Sequence, residues 1–283
     1  MPEAPTLATA RKIVKEYYAD GFQLFIIEGN ARIGKSALAT KVIDQVLNFV
    51  YDRKIECSSF SKWGLKHFMG WHPVEVIETW LDKPKKKEPI FVWDDAGVWL
   101  NNMLWSDPLL IKITQYLNIV GTDYASLIFT TPKAGWVLNK IGAFPEMIRI
   151  KVVKLGGQDL LIQDKESIKF SRRAIGYKPW LSPDLKKHGV NKVLQDDFSC
   201  KMRDDLYSYY QPLRDSYNDQ IKAAMKQELH TRALVRQVRE SQVQVKAMAY
   251  SQRLGKLKKR QAKLEKANID ERINESLEVP ADE

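Results

Sequence analysis

Two rhythms of apolar and polar residues alternate along the first half of the chain. From residue 6 to 20, Ile13, Val14, Tyr17 and Tyr18 fall on or near one helical face, with Thr6 as N-cap and Gly21 as stop. The unbroken apolar run from Phe22 to Ile27 predicts a buried strand, and Ser36 to Ile43 predicts a helix. Tyr51 to Ser59 reads as a second strand, and Pro73 to Leu81 as a helix opened by proline and stopped by Pro84. Pro89 to Trp93 is a further apolar strand; Leu109, Leu110, Ile111, Ile113, Tyr116 and Leu117 then make an apolar helical face. Leu127 to Thr131 is the next strand, Ala134 to Lys140 a short helix and Met147 to Val153 a fifth strand. A turn at Gly156-Gly157 leads into Leu160-Leu161-Ile162, read as a hairpin. Strand and helix in alternation predict an α/β fold, with a mostly parallel sheet covered by helices.

The rhythm changes after residue 165. Residues 166–200 read as a connector, broken by Pro and Gly between 176 and 195. Residues 201–270 are rich in good helix formers and predict a basic helical extension; residues 271–283 form an acidic, loose tail. The expected layout is therefore a core at 1–165, the connector, and the helical region. Tyr207, Tyr209, Tyr210, Leu213 and Tyr217 cluster at mixed helical spacing and read as packing.

Charge sharpens this division. Residues 222–272 carry 14 Lys and Arg against 5 Asp and Glu, which is nine of the chain's net +10. The remainder is close to neutral, so the chain reads as a basic arm on a neutral body. Cys57 and Cys200 are too few for a disulfide framework, and the four histidines are scattered. No apolar run approaches the ~20 residues that span a bilayer, and the first residues lack the shape of a signal peptide. The expectation is a cytoplasmic protein with no membrane partner.

The chemistry concentrates between the first strand and the first long helix. Gly29, Asn30, Ala31, Arg32, Ile33, Gly34, Lys35 and Ser36 match G-x-x-x-x-G-K-[ST], with Ala37 following inside the helix. Glycines let the backbone bring N–H groups close to phosphates, and the helix start adds a positive dipole end. In such a P-loop Lys35 reaches the β- and γ-phosphates and the Ser36 hydroxyl binds Mg²⁺. The strand at Pro89–Trp93 ends in Asp94 and Asp95. Asp94 suits Mg²⁺ and Asp95 suits orientation of an attacking water, although it is one methylene shorter than the Glu common there. The next strand ends in Thr130 and Thr131, which is similar to additional-strand ATPases, where a polar residue at this strand end senses the γ-phosphate; the resemblance implies that role for one threonine or the other. Guanine-reading N-K-x-D is absent: Asn139-Lys140-Ile141-Gly142 and Asn191-Lys192-Val193-Leu194 both lack the Asp. Asn30 stands where partition-type ATPases carry an extra lysine.

These motifs, over about residues 5–155, make the chain resemble the AAA+ ATPases, in particular their helicase-loader and initiator branch. The neutral core with an idiosyncratic tail is similar to ATPases of archaeal viruses and plasmids. The resemblance implies ATP and Mg²⁺ as cofactors and a ring or filament of identical subunits. It also implies an arginine or lysine finger acting on the neighbouring subunit's nucleotide. Lys140, Arg149, Arg172 and Arg173 are the candidates for that finger.

Two stretches raise nucleic acid. Trp63, Lys66, His67, Phe68, Trp71 and His72 interleave aromatics with base, which suits stacking on single-stranded bases, but Trp63, Phe68 and Trp71 are better read as packing a helix on the sheet. In the tail, Lys256, Lys258, Lys259, Arg260 and Lys263 suit phosphate contacts without base readout. Val243, Val245, Met248, Leu254 and Leu257 would instead suit docking on a protein partner such as a helicase. The leading expectation is an ATP hydrolase that acts on DNA in replication or maintenance of a genetic element. The alternatives are an ATP-switched adaptor whose tail grips a protein, and a DNA packaging or transfer motor.

Overall fold

The computed structural model describes residues 4–51, 58–82, 85–104, 106–137, 141, 144, 147–155, 171–181 and 188–277. The chain divides into two units, Met1–Tyr217 and Asn218–Glu283. The first holds a seven-stranded sheet in the order β2-β3-β4-β1-β5-β6-β7. Its strands are β1 (Gln23–Glu28), β2 (Met69–Gly70), β3 (Phe91–Trp93), β4 (Ser126–Thr131), β5 (Ile148–Lys154), β6 (Ser171–Leu181) and β7 (His188–Ser199). The run from β2 to β5 is parallel, and β6 and β7 add an antiparallel hairpin at the β5 edge. This is the mixed α/β architecture, mostly parallel, that the alternating pattern implied.

The two strands at the centre, β1 and β4, are buried along their whole length because both faces are covered. Leu24 and Ile26 of β1, Phe91 and Trp93 of β3, and Leu127 and Phe129 of β4 pack in one cluster. That cluster includes Val76 and Trp80 of α4 (Pro73–Leu81) and Leu110 and Ile113 of α6 (Pro108–Tyr116). Phe25 and Ile27 alternate with them and are equally buried, so they point to the opposite face. There α1 (Ala8–Tyr18) and α2 (Lys35–Val50) pack on each other and on β4. The α3 helix (Ser58–Phe68) lies against α2, since a Cβ at Gly64 would meet Leu47 and Ile43.

Several local expectations are revised by tertiary contacts. Thr6 does not cap α1: Leu7 occupies the cap position without a side-chain bond. The α1 N–H groups are satisfied from β7 instead, with Asp196 accepting from Ala8 N and from Thr9 N at 3.1 Å. Residues 58 and 59, expected in a strand, open α3, and the neighbouring edge strand is the short β2; residues 52–57 lie outside the description. Segment 176–195, expected to be connector, carries most of β6 and β7. Its sequence hides a long hairpin because Gly176, Pro179 and Gly189 read as breakers, whereas a bulge at Gly176/Tyr177 absorbs the irregularity. In the segment expected as a helix, Ala134–Lys140, the described residues Ala134–Trp136 form a 3-10 turn, and residues 138–140 lie outside the described residues. The hairpin expected near Leu160 lies outside them too.

Trp71 and Phe68 are buried, and Trp63 packs edge-on against Phe68 and Tyr51. Phe68 and Trp71 therefore serve packing of the fold, while Trp63 stays partly exposed. At α5 (Ala96–Trp99) the approach to β4 is close. A Cβ on Gly97 would stand 2.1 Å from Thr131 Oγ1 and 2.9 Å from Thr131 Cβ. Gly97→Ala is expected to destabilise the unit by about 1–3 kcal/mol, as overpacking does. Thermal unfolding reads this out, and an unchanged midpoint would mean that β4 yields without strain.

The α7 helix runs from Asp204 to Leu277, with Asp204 and Asp205 in its first turn, where the helix dipole favours them. Leu206, Tyr210 and Tyr217 are buried in the first unit. From Asn218 on, nearly every described residue is exposed, Leu229, Leu234, Leu254 and Leu257 included. Among the described residues no helix is long and apolar enough to cross a membrane.

Candidate functional site

Parallel strands place their carboxyl ends on one edge, and three adjacent ends here carry polar side chains. β1 leads into the loop 29–36, β4 ends in Thr130 and Thr131, and β3 is followed by Asp94 and Asp95. β4 pairs with β1 on one side and β3 on the other, so the threonines sit between the loop and the carboxylates.

The loop needs unusual backbone. Gly34 has φ 103° and Gly29 φ 156°, and Arg32 also lies in the left-handed region at φ 60°. Gly34 is doubly constrained, because a Cβ there would stand 2.8 Å from Cys200 Cβ. Gly34 is the N-cap of α2 and supplies no side-chain bond, so the first N–H groups of that helix open toward the loop with their dipole. The Lys35 amine folds back over the loop and donates to the carbonyls of Gly29 and Asn30, both at 3.0 Å. Burial lowers its pKa, against the pull of Asp95 and Asp94.

Asp94 is fully buried and gathers the rest of the site. Its Oδ1 accepts from Ser36 Oγ at 3.0 Å and Thr130 Oγ1 at 2.6 Å. Its Oδ2 accepts from the Trp71 indole at 3.2 Å and the Tyr210 hydroxyl at 2.9 Å. Asp95 adopts φ 54°, a conformation that Asp tolerates better than most residues. Thr130 holds it there by accepting the Asp95 backbone N–H at 2.8 Å. One threonine hydroxyl thus donates to Asp94 and accepts from Asp95. Of the two threonines, Thr130 joins the site; Thr131 donates to the Lys133 carbonyl and borders Gly97.

The Asp95 carboxylate pairs with Arg214 Nη2 at 3.3 Å. Burial, followed by the neighbouring Asp94 charge, raises the Asp95 pKa, while Arg214 and Lys35 pull it back. A carboxylate with raised proton affinity is a better acceptor for a proton from attacking water than one at the ordinary value. The Tyr210 hydroxyl is pushed well up by burial and by Asp94, so it stays a donor. The Tyr217 hydroxyl is pushed up to about 12, chiefly by burial, and accepts the Trp99 indole N–H at 2.6 Å.

The finger candidates are held within the chain in different ways. Arg149 makes a two-pronged pair with Glu28, at 2.7 and 3.0 Å. Arg172 is buried, and its Nε donates to the Ile33 carbonyl of the loop at 3.1 Å. Arg173 pairs with Asp197 at the surface of the hairpin. Lys140 lies outside the described residues. In the tail, Lys256 and Lys258 are exposed on α7; Lys259, Arg260 and Lys263 lie on the same helix, their side chains outside the description.

Tyr210, Arg214 and Trp71 were not legible as site residues. Tyr210 stood in an aromatic cluster that read as packing, and no local pattern set Arg214 apart from the other basic residues of its helix. The one available signal was the helical spacing of Leu206, Tyr210 and Tyr217, which marks a buried face at the helix start.

The chain matches no protein-family model. It is similar to a protein of Sulfolobus spindle-shape virus 1 described as uncharacterized protein B-251. The two are 26% identical over 227 residues, which span 74% of this chain and 80% of the relative.

Proposed function

We propose that the protein is an ATP-hydrolysing, AAA+-like enzyme acting on nucleic acid, with the basic part of α7 holding DNA phosphates. The observation that carries this reading is the convergence of Lys35 and Ser36, at the uncapped start of α2, with Asp94, Asp95 and Thr130 at neighbouring strand ends. The strand carrying Thr130 lies between the loop strand and the carboxylate strand, as in additional-strand ATPases. Ser36 and Asp94 form a pair of hard oxygen donors 3.0 Å apart, which suits magnesium. In this reading the loop N–H groups and Lys35 bind the phosphates, and Ser36 and Asp94 hold Mg²⁺, which supplies charge neutralisation at the β- and γ-phosphates. Thr130 senses the γ-phosphate, and Asp95 orients water.

The DNA part rests on charge. Residues 222–272 hold 14 basic against 5 acidic residues, on a helix whose described part is largely exposed. If about 6–10 phosphates are contacted, affinity for DNA of arbitrary sequence should fall about 10³–10⁵-fold between 50 and 200 mM salt. Affinity that ignores salt would remove DNA from the reading, and stimulation of ATP hydrolysis by DNA would support it. The exposed Leu229, Leu234, Val235 and Met248 favour a second reading, an ATP-switched adaptor whose helix docks on a protein. ATP-dependent assembly without DNA binding would select it. Both readings take the protein as a homo-oligomer.

A further inference from the structure

The first turns of α7 reach the same two carboxylates that the nucleotide site needs. Tyr210 and Arg214 lie one turn apart and leave the helix on one face. Tyr210 is 2% exposed and donates to Asp94 Oδ2 at 2.9 Å, while Arg214 pairs with Asp95 Oδ2 at 3.3 Å. Further along, Tyr217 accepts from Trp99 at 2.6 Å, and Trp99 ends the short helix that follows Asp95. Three α7 residues therefore grip the single segment 94–99.

Acceptor capacity makes the grip on Asp94 exclusive. An ionised carboxylate offers about four lone-pair sites. Ser36, Thr130, Trp71 and Tyr210 use them all. Asp94 has nothing left for a metal ion or its water until one donor leaves. Ser36 and Thr130 belong to the site itself, and Trp71 is buried beside β2. Tyr210 instead sits on a turn that Pro212 weakens, because proline has no N–H to bond the carbonyl four residues back. It is the donor whose position α7 sets, so a shift of that turn withdraws it. Arg214 has a motive to move as well, since a γ-phosphate offers it more negative charge than one carboxylate.

We propose that the Tyr210–Arg214 face of α7 is a nucleotide-responsive latch. It closes Asp94 and Asp95 in the empty site and lets go of them when Mg·ATP enters, loosening residues 204–217. The proposal rests on the nucleotide reading above. It would make the start of the basic helix report the state of the site.

The test uses the full chain and a fluorescent, non-hydrolysable ATP analogue, titrated with magnesium and again with EDTA. Tyr210→Phe keeps the ring but removes the competing hydroxyl. It should bind the magnesium form about three- to tenfold more tightly, the equivalent of one hydrogen bond, with no change in EDTA. In the wild type, amide hydrogen exchange over 204–217 should quicken when the magnesium analogue is added. Magnesium-dependent affinity that is unchanged or weaker in Tyr210→Phe, or exchange that slows, overturns the latch while leaving the nucleotide reading intact. No binding to the wild type overturns both.

Discussion

Lys35→Ala is expected to cut ATP turnover by at least about 10²–10³-fold, the loss typical when one preorganised charge-stabilising donor is removed, while the chain still folds. The separation of the two effects follows from where the amine sits. Lys35 opens α2 on a buried site, and its charge is held by two loop carbonyls rather than by a dedicated carboxylate. Burial already lowers its pKa, so its charge is held at a cost to the empty protein. Alanine relieves that cost and leaves the Gly29 and Asn30 carbonyls to water entering the loop. Alanine is also the best helix former, so α2 should still start at this position. Phosphate release measures the turnover, and a thermal melt by circular dichroism measures the fold. Turnover at the wild-type rate in a folded Lys35→Ala would refute the site assignment.

Asp94→Ala is expected to remove turnover and to destabilise the first unit by about 2–5 kcal/mol, through buried donors left without an acceptor. Four donors converge on this carboxylate, and they are not equally replaceable. The Ser36 and Thr130 hydroxyls can rotate toward other acceptors. The Trp71 indole N–H is fixed by its ring, and the Tyr210 hydroxyl points into the core, so these two carry most of the cost. Asp94→Asn separates the roles. Its amide keeps the shape and one acceptor oxygen, so it should recover most of the stability, but it lacks the charge to hold magnesium and should stay inactive. Denaturant unfolding of the two variants reads the difference. An Asp94→Ala as stable as the wild type would mean that the hydrogen-bond hub contributes little.

The depth to which the site was legible follows from how local each signal is. The loop needs glycine at positions whose backbone lies in the left-handed region, and a lysine and a hydroxyl at the helix start. Those demands fall on eight consecutive residues and leave a pattern. Asp94 and Asp95 were legible because an apolar strand that ends in carboxylates is also a short-range pattern. Choosing between Thr130 and Thr131 was not possible from the chain alone. Successive residues of a strand point to opposite faces, and only the placement of β4 beside Asp94 decides which face is the site. The hairpin of β6 and β7 was missed for a related reason. Its glycines and proline look like breaks until its pairing with β5 supplies the hydrogen bonds that make it sheet.

The alternation of elements, the glycine-bracketed loop before α2, the two carboxylates and the concentration of positive charge beyond residue 221 can all be read from the chain alone. All of these depend on neighbours within a turn or a strand, or on composition. Folding alone sets the strand order, which threonine meets Asp94, and the capping of α1 by Asp196. It alone brought Tyr210 and Arg214 onto Asp94 and Asp95, across sequence separations of 116 and 119 residues. No local propensity encodes such pairs, because they are selected by buried hydrogen bonding and charge balance that exist only after the helix has docked.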